Sequence, residues 1–166
     1  MGINFFDPCC QTTTSAIEFG LCDDPPPPNV PAYVDTTDRD KWIAIVQNPD
    51  KINVTFTAID SCITITRDNG EDSKRCDAML TYGDKIIFVE LKERNSKGWV
   101  DYGIKQLTET IDFFWKSHPL NEYSQKTAYV ANKSKPKFQF SQITRIARFK
   151  NDTGFRLKIE VNIMID

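Results

Sequence analysis

Three side chains near the middle of the chain, those of Asp77, Glu90 and Lys92, could together bind a cation and act on a ligand beside it. The apolar runs that carry the two acids predict antiparallel strands in which the carboxylates face each other. Lys92 lies two residues beyond Glu90, so it projects from the same face of its strand. Facing carboxylates repel and should destabilise a sheet. A divalent cation between them would make the interaction favourable, so the pattern predicts a metal site.

The turn between the two runs, Gly83-Asp84, sets the pairing on which this prediction depends. Glycine at the first position of a two-residue loop favours a type II′ turn and therefore a β-hairpin. The hairpin then pairs Tyr82 with Lys85 and Met79 with Phe88. The same register, continued away from the turn, places the two acids opposite each other.

An acid on one strand, a turn, and an acid-x-Lys sequence on the next strand resemble the PD-(D/E)XK nuclease superfamily. Here the pattern is Asp77 followed by Glu90-Leu91-Lys92, and Cys76 stands at the position of the nominal proline. The resemblance covers residues 50–131. It includes a helix beginning after Lys97-Gly98 that resembles the glutamine-bearing helix of the subgroup related to helicase-associated nucleases.

In that helix the matching glutamine is Gln106, and Thr110 stands where the subgroup often has tyrosine. The resemblance implies an α/β fold of restriction-endonuclease-like type. In such a fold a central mixed sheet, formed by an antiparallel meander and a βαβ crossover, is flanked by helices. The two acids of the hairpin are then expected to point into the same solvent-accessible cleft. The implied activity is metal-dependent cleavage of nucleic acid, with DNA as the favoured substrate. Related enzymes often dimerise to cut both strands, so a homodimer is a further prediction.

The resemblance also implies roles for individual residues. Asp77 and Glu90, with the carbonyl of Leu91, would hold Mg²⁺ or Mn²⁺. Lys92 would stabilise charge on the phosphoryl group and help to position or deprotonate water, and Gln106 would orient near the metal or touch phosphate.

Charge is distributed unevenly along the chain. Residues 1–91 hold 7 basic and 15 acidic residues, whereas residues 92–166 hold 14 basic and 8 acidic ones. Nucleic-acid-binding proteins concentrate positive charge where phosphates lie. The predicted phosphate-binding residues are Lys105, Lys133, Lys135 and Lys137. An ordinary solvated surface is the alternative interpretation.

The first part of the chain is predicted to be irregular and to precede the main domain. Residues 1–34, which include a proline-rich stretch, are expected to form an irregular arm, and residues 35–166 a nuclease-like domain. A first helix is expected from Thr36 to about Gln47. Its acids, Asp38 and Asp40, would either add a metal ligand or interact with the helix dipole.

The remaining elements follow from hydrophobic periodicity. Strands are expected from Ile52, at Cys62–Thr66, at Thr127–Ala131 and through Phe155–Ile165. Helices are expected at about 99–117 and from Ser141 to Lys150.

Other chemistries are poorly supported. His118 is the single histidine, and no nucleophile-elbow pattern surrounds a serine. Cys9-Cys10 and Cys22 lack a matching set of zinc or cluster ligands, and the odd number of cysteines favours reduced thiols. No apolar run has the length of a membrane span, so a cytoplasmic location is the default prediction.

Two alternatives to a nuclease stay open at this point. The acids could form an exposed ladder of ion pairs with Lys92 and Arg75, which faces Lys92 in the same register; such pairs contribute roughly 0–1 kcal/mol each. The fold could also persist without activity, as a protein-interaction module or subunit.

Overall fold

The computed structural model describes residues 2–71, 73–93, 97–119, 122–134 and 142–166. Within these ranges the chain forms strands and two longer helices, which we number in chain order. The strands are β1 (Gln11–Thr14), β2 (Glu18–Cys22), β3 (Tyr33–Asp35), β4 (Ala44–Gln47), β5 (Val54–Ala58), β6 (Ala78–Tyr82), β7 (Lys85–Lys92), β8 (Gln125–Asn132), β9 (Arg156–Lys158) and β10 (Asn162–Met164). The helices are α1 (Trp99–Ser117) and α2 (Ile143–Thr153).

A six-stranded mixed sheet, ordered β1-β5-β6-β7-β8-β9, contains the predicted hairpin. Tyr82 pairs with Lys85 and Met79 with Phe88, as predicted. Gly83 has a φ of 53°, whereas Asp84 does not have a positive φ, which is the combination of a type II′ turn. The strands on either side of α1, β7 and β8, are parallel. The prediction of an α/β fold with a meander and a βαβ crossover is therefore confirmed.

A second sheet, ordered β10-β4-β2-β3, corrects two predictions about the start of the chain. Residues 1–34 are not an irregular arm, because they contain β1, β2 and most of β3, and they bury Phe5 and Phe19 completely. The helix predicted from Thr36 to Gln47 is also wrong. A 3₁₀ turn covers Arg39–Lys41, and β4 follows.

The apolar residues before Gln47 suit either a helix or a strand, and tertiary pairing decided between them. Ala44 and Val46 are buried and alternate with half-buried neighbours, which is the two-residue period of a strand. β2 pairs with one edge of β4 and β10 with the other, so the backbone groups of this segment are satisfied in a sheet.

Two further segments differ from their predictions. Cys62–Thr66 forms a turn and an isolated bridge rather than a strand. The predicted final strand is split into β9, in the first sheet, and β10, in the second. The predicted helix near Ser141–Lys150 is present as α2, although Ser141 itself lies outside the described residues.

Each face of the six-stranded sheet covers a different core. α1 and α2 pack on one face, around Phe88, Leu107 and Phe114. The second sheet packs on the other face, around Phe19 and Val89. Neighbouring residues of β7 alternate between these cores, and Glu90 and Lys92 fall on the side of α1. None of the described helices is long and apolar enough to cross a membrane.

A disulfide between Cys10 and Cys62 joins the segment before β1 to the loop after β5. The prediction of reduced thiols is wrong for these two residues, while Cys9, Cys22 and Cys76 are free. The pairing could not be read from the sequence because the two cysteines are 52 residues apart and meet only through folding. Disulfides are typical of oxidising compartments, so this bond weighs against the cytoplasmic location, which stays a prediction.

We expect the double change Cys10→Ser and Cys62→Ser to lower the free energy of unfolding by up to about 4 kcal/mol, because the bond restricts a long loop in the unfolded chain. Urea denaturation measures this, with Cys9→Ser as the control because Cys9 is exposed and unbonded. Equal midpoints for the double variant and the control would contradict the prediction.

Candidate functional site

Asp77 lies immediately before β6, on the face of the sheet that α1 covers. Its Oδ2 accepts a hydrogen bond of 2.7 Å from the backbone N–H of Leu91, and its own carbonyl accepts one of 2.9 Å from Ile59. Asp77 is therefore bonded through its side chain to β7 and through its backbone to the residue that follows β5. Asp77 is only 7% exposed.

Glu90 lies on β7 and is 2% exposed. Its Oε1 is 3.0 Å from Nζ of Lys92, which makes a partly buried ion pair. Its Oε2 is buried and has no hydrogen-bond donor among the described residues. A hydrogen bond between Glu90 and Asp77 forms only when one of the two carboxyls carries a proton. The pair is thus poorly satisfied in its fully ionised form.

Helix α1 holds the lysine and the start of β6 in place. Nζ of Lys92 donates a 2.8 Å hydrogen bond to Oε1 of Gln106, and Nε2 of Gln106 donates one of 3.2 Å to the carbonyl of Arg75. One turn further along the helix, Oγ1 of Thr110 accepts a 2.8 Å hydrogen bond from the N–H of Cys76. Gln106 therefore links the helix to both flanks of the hairpin.

The structure thus brings together the side chains of Asp77, Glu90, Lys92 and Gln106. This cluster does not match the alternative of an exposed ion-pair ladder, because both acids are buried. Arg75 pairs with Asp60, at 3.2 Å, rather than with Asp77.

Burial and mutual repulsion both act on the acids. Burial, followed by the charge of Asp23, raises the pKa of Asp77 to about 7. Burial, followed by the charge of Asp77, raises the pKa of Glu90 well above its usual range. Desolvation and like charges both penalise ionised carboxylates, and Lys92 offsets only part of this penalty.

Asp23 is a charged neighbour of the site that the sequence interpretation missed. It follows β2 directly and is half-buried, and burial together with Asp60 and Glu93 raises its pKa to about 6. Lys92 acts in the opposite direction on the same group. The available signal was an acid directly after the short run Phe19–Cys22, but the proline-rich sequence that follows argued against a strand there.

The acids were expected to point into an open cleft, and their burial corrects that expectation. Lys92 and Gln106 separate them from a neighbouring pocket of about 340 Å³. The pocket is lined by Asp60, Ser73, Lys74, Arg75, Lys92, Tyr102 and Gln106. Of its basic and aromatic residues, only Lys92 was predicted to act on a ligand; Lys74, Arg75 and Tyr102 were not.

The two predicted phosphate-binding lysines that the structure describes, Lys105 and Lys133, do not line this pocket. Lys105 lies on another side of α1, in a groove shared with Asp101 and Arg145. Lys133 follows β8, and its Nζ donates to the backbone carbonyl of Asp40. Lys135 and Lys137 lie outside the described residues.

The other acids predicted as optional ligands have structural roles. Asp38 precedes the 3₁₀ turn, and its side chain accepts a hydrogen bond from the N–H of Asp40.

His118 lies at the end of α1, where its ring packs against Phe6 and Phe114.

The carboxylate pair has the donors that a small hard cation needs. Mg²⁺ is commonly held by one or two carboxylates, with water and phosphate completing its ligands. Within the described ranges, no three His, Cys, Asp or Glu side chains form a group that could hold a metal. Asp77 and Glu90 would be the two side-chain ligands, and Oε2 of Glu90 has no hydrogen-bond partner among the described residues. The role of the Leu91 carbonyl stays a prediction.

Comparisons with known proteins do not extend this description. The chain matches no protein-family model, no curated protein and no solved structure.

The raised pKa of Asp77 predicts how stability changes with pH. Between the ordinary value of 3.8 and about 7, the folded protein retains a proton that the unfolded chain releases. Without divalent metal, the free energy of unfolding should therefore fall by a few kcal/mol, to order of magnitude, as pH rises through this interval. Asp77→Asn should flatten the decrease while keeping an oxygen acceptor for Leu91. Denaturation in EDTA at several pH values measures both slopes.

Asp84→Asn, in the exposed turn of the same hairpin, is the matched control. It should retain the wild-type pH dependence. A wild-type slope that Asp77→Asn leaves unchanged would contradict the assignment to the buried pair.

Asp23→Asn tests the electrostatic coupling across the site. Removing this like charge should lower the pKa of Asp77 below about 7, because Asp23 is the largest charged contributor to its rise. Carboxyl ¹³C NMR titration without metal measures the change. Asp24→Asn, one residue further on, should have a much smaller effect, and equal effects of the two variants would refute the coupling.

Proposed function

We propose that this chain is a divalent-cation-dependent nuclease that hydrolyses phosphodiester bonds of nucleic acid, with DNA as the favoured substrate. The observation that carries the proposal is the buried pair Asp77 and Glu90 with Lys92 alongside, in which one carboxylate oxygen of Glu90 has no hydrogen-bond partner among the described residues. The proposal includes the restriction-endonuclease-like assignment. It is supported by the order of the hairpin, α1 and the parallel strand β8.

Each residue of the cluster has a role in this proposal. Asp77 and Glu90 hold Mg²⁺ or Mn²⁺, which when bound supplies Lewis-acid polarisation of the phosphoryl group and lowers the pKa of water. Lys92 stabilises negative charge that develops on the phosphoryl oxygens, which is where electrostatic groups contribute most to rate. Gln106 positions the ammonium group of Lys92 by a direct hydrogen bond.

Lys92 also lies between the carboxylates and the pocket of about 340 Å³. A phosphate that enters from the pocket meets its ammonium group first. Because both carboxylates are buried, bulk water has little access to them, and charge interactions at the site are stronger than at an open surface.

The burial of both carboxylates favours a second candidate, a binding module of the same fold without catalytic activity. A pair this well enclosed can be retained as a protonated hydrogen-bonded unit. In that case a divalent cation should neither stabilise the protein nor promote cleavage. Metal-dependent stability and cleavage therefore separate the two candidates.

We expect Asp77→Asn, Glu90→Gln and Lys92→Ala each to reduce Mg²⁺-dependent cleavage by roughly 10²–10³-fold, as loss of one electrostatic stabiliser typically does. Gel assays with single-stranded, duplex and branched substrates measure this with Mg²⁺ and with Mn²⁺. Thermal denaturation should show that either cation stabilises the wild type more than the two acid variants, because a ligand of the native state raises its stability.

Lys85→Ala is the control, since Lys85 lies at the opposite end of the strand that carries Lys92. It removes the same charge and should leave cleavage close to the wild-type rate. If the wild type cuts no substrate with either ion and gains no thermal stability from them, the nuclease proposal is wrong and the binding module replaces it.

A further inference from the structure

The pocket beside Lys92 combines positive charge with an exposed aromatic ring. Tyr102, in the first turn and a half of α1, is 60% exposed. It lies four residues before Gln106, so both side chains project from the same stripe of the helix. The ring is therefore next to the group that holds Lys92, although it contributes little to the core.

A cation lies beside this ring. Nζ of Lys74 is 5.4 Å from the ring centroid, which is within the range of a cation–π interaction. Lys74 and Tyr102 both line the pocket whose inner side is formed by Lys92. One pocket is thus lined by an exposed aromatic ring and two ammonium groups.

Arg75 adds a third positive charge to the lining of the same pocket. Its Nε is 3.2 Å from Oδ1 of Asp60, yet the buried N–H makes no hydrogen bond within the described residues. The ion pair is therefore misaligned for a hydrogen bond. Three basic side chains and one acidic side chain line the pocket, so its balance of charge suits an anion such as a backbone phosphate.

We propose that this pocket binds one unpaired nucleotide of a nucleic-acid strand, with its phosphate toward Lys92 and its base stacked on Tyr102. This inference rests on the proposed nuclease function and names its substrate class. A tyrosine ring can stack only on a base whose face is free, and a duplex covers those faces with neighbouring base pairs. A volume of about 340 Å³ also lies near the lower end of small-ligand sites, roughly 300–1,000 Å³.

Stacking and backbone charge distinguish an unpaired strand from a duplex at this pocket. Stacking on an aromatic side chain tolerates different bases, because every base has a π face. The site therefore selects the unpaired state rather than a sequence. DNA and RNA strands share this chemistry, and the experiment compares them directly.

Fluorescence anisotropy with labelled oligo(dT), oligo(U) and a DNA duplex tests the proposal in EDTA, where cation-dependent cleavage is stopped. Both single strands should bind more tightly than the duplex. Tyr102→Ala should weaken single-strand binding by about 5- to 100-fold, whereas Tyr102→Phe should retain most of it because the ring is kept. Lys74→Ala should weaken binding and reduce its salt dependence by about one phosphate contact.

Lys116→Ala is the control for charge, because Lys116 is exposed near the other end of α1. It should leave the affinity for single strands unchanged. A difference between oligo(dT) and oligo(U) would identify which strand the pocket prefers.

Absence of single-strand binding, or equal binding of the duplex with no effect of Tyr102→Ala, would overturn this inference. Mg²⁺-dependent cleavage of a duplex, with no loss in Tyr102→Ala, would also overturn it while leaving the nuclease proposal intact. Tyr102-dependent binding of single strands without cleavage by either cation would refute the nuclease proposal and support the unpaired-strand site alone.

Discussion

The burial of two like charges side by side is the physical constraint on which the rest of this structure depends. Asp77 and Glu90 are removed from water on the same face of the main sheet, and one oxygen of Glu90 has no donor within the described residues. Desolvation and mutual repulsion both oppose their ionisation. The pair is tolerated because Lys92 and the Leu91 N–H compensate part of the cost, and the raised pKa values of both acids favour retention of a proton. A protein retains such an arrangement most readily where a cation or a proton has a function.

Helix α1 packs against the buried acids and fixes the positions of the residues around them. It can approach β7 and β8 closely because residue 103 is glycine: a Cβ there would lie 2.9 Å from a methyl group of Val130 and 3.5 Å from Cγ of Glu90. In this close packing, Gln106 and Thr110 reach the backbone before β6, and Gln106 also accepts a hydrogen bond from Lys92. The geometry of the site therefore depends on the close packing of α1 against the sheet. A larger residue at 103 would displace both.

The N-terminal segment completes the site from the other side of the sheet. It forms β2 within the second sheet, and Asp23 at the end of that strand adds a third negative charge to the field around Asp77. The disulfide between Cys10 and Cys62 ties the same segment to the loop that contains Asp60, the partner of Arg75. The charge balance of the pocket thus depends on residues far apart in the sequence.

The amino-acid sequence alone determined the hairpin, its register and the alignment of Asp77, Glu90 and Lys92, because turn type and two-residue alternation are local properties of the chain. It also determined α1, because the helical spacing of apolar residues is a local pattern. A helix of that length after β7 in turn predicted a parallel strand behind it. Tertiary structure decided the rest. Residues 44–47 became a strand only because β2 and β10 pair with them, and Asp23 reached the site only through the second sheet. The burial of the acids, their raised pKa values and the cations beside Tyr102 depend on packing between distant segments, which no local pattern of residues encodes.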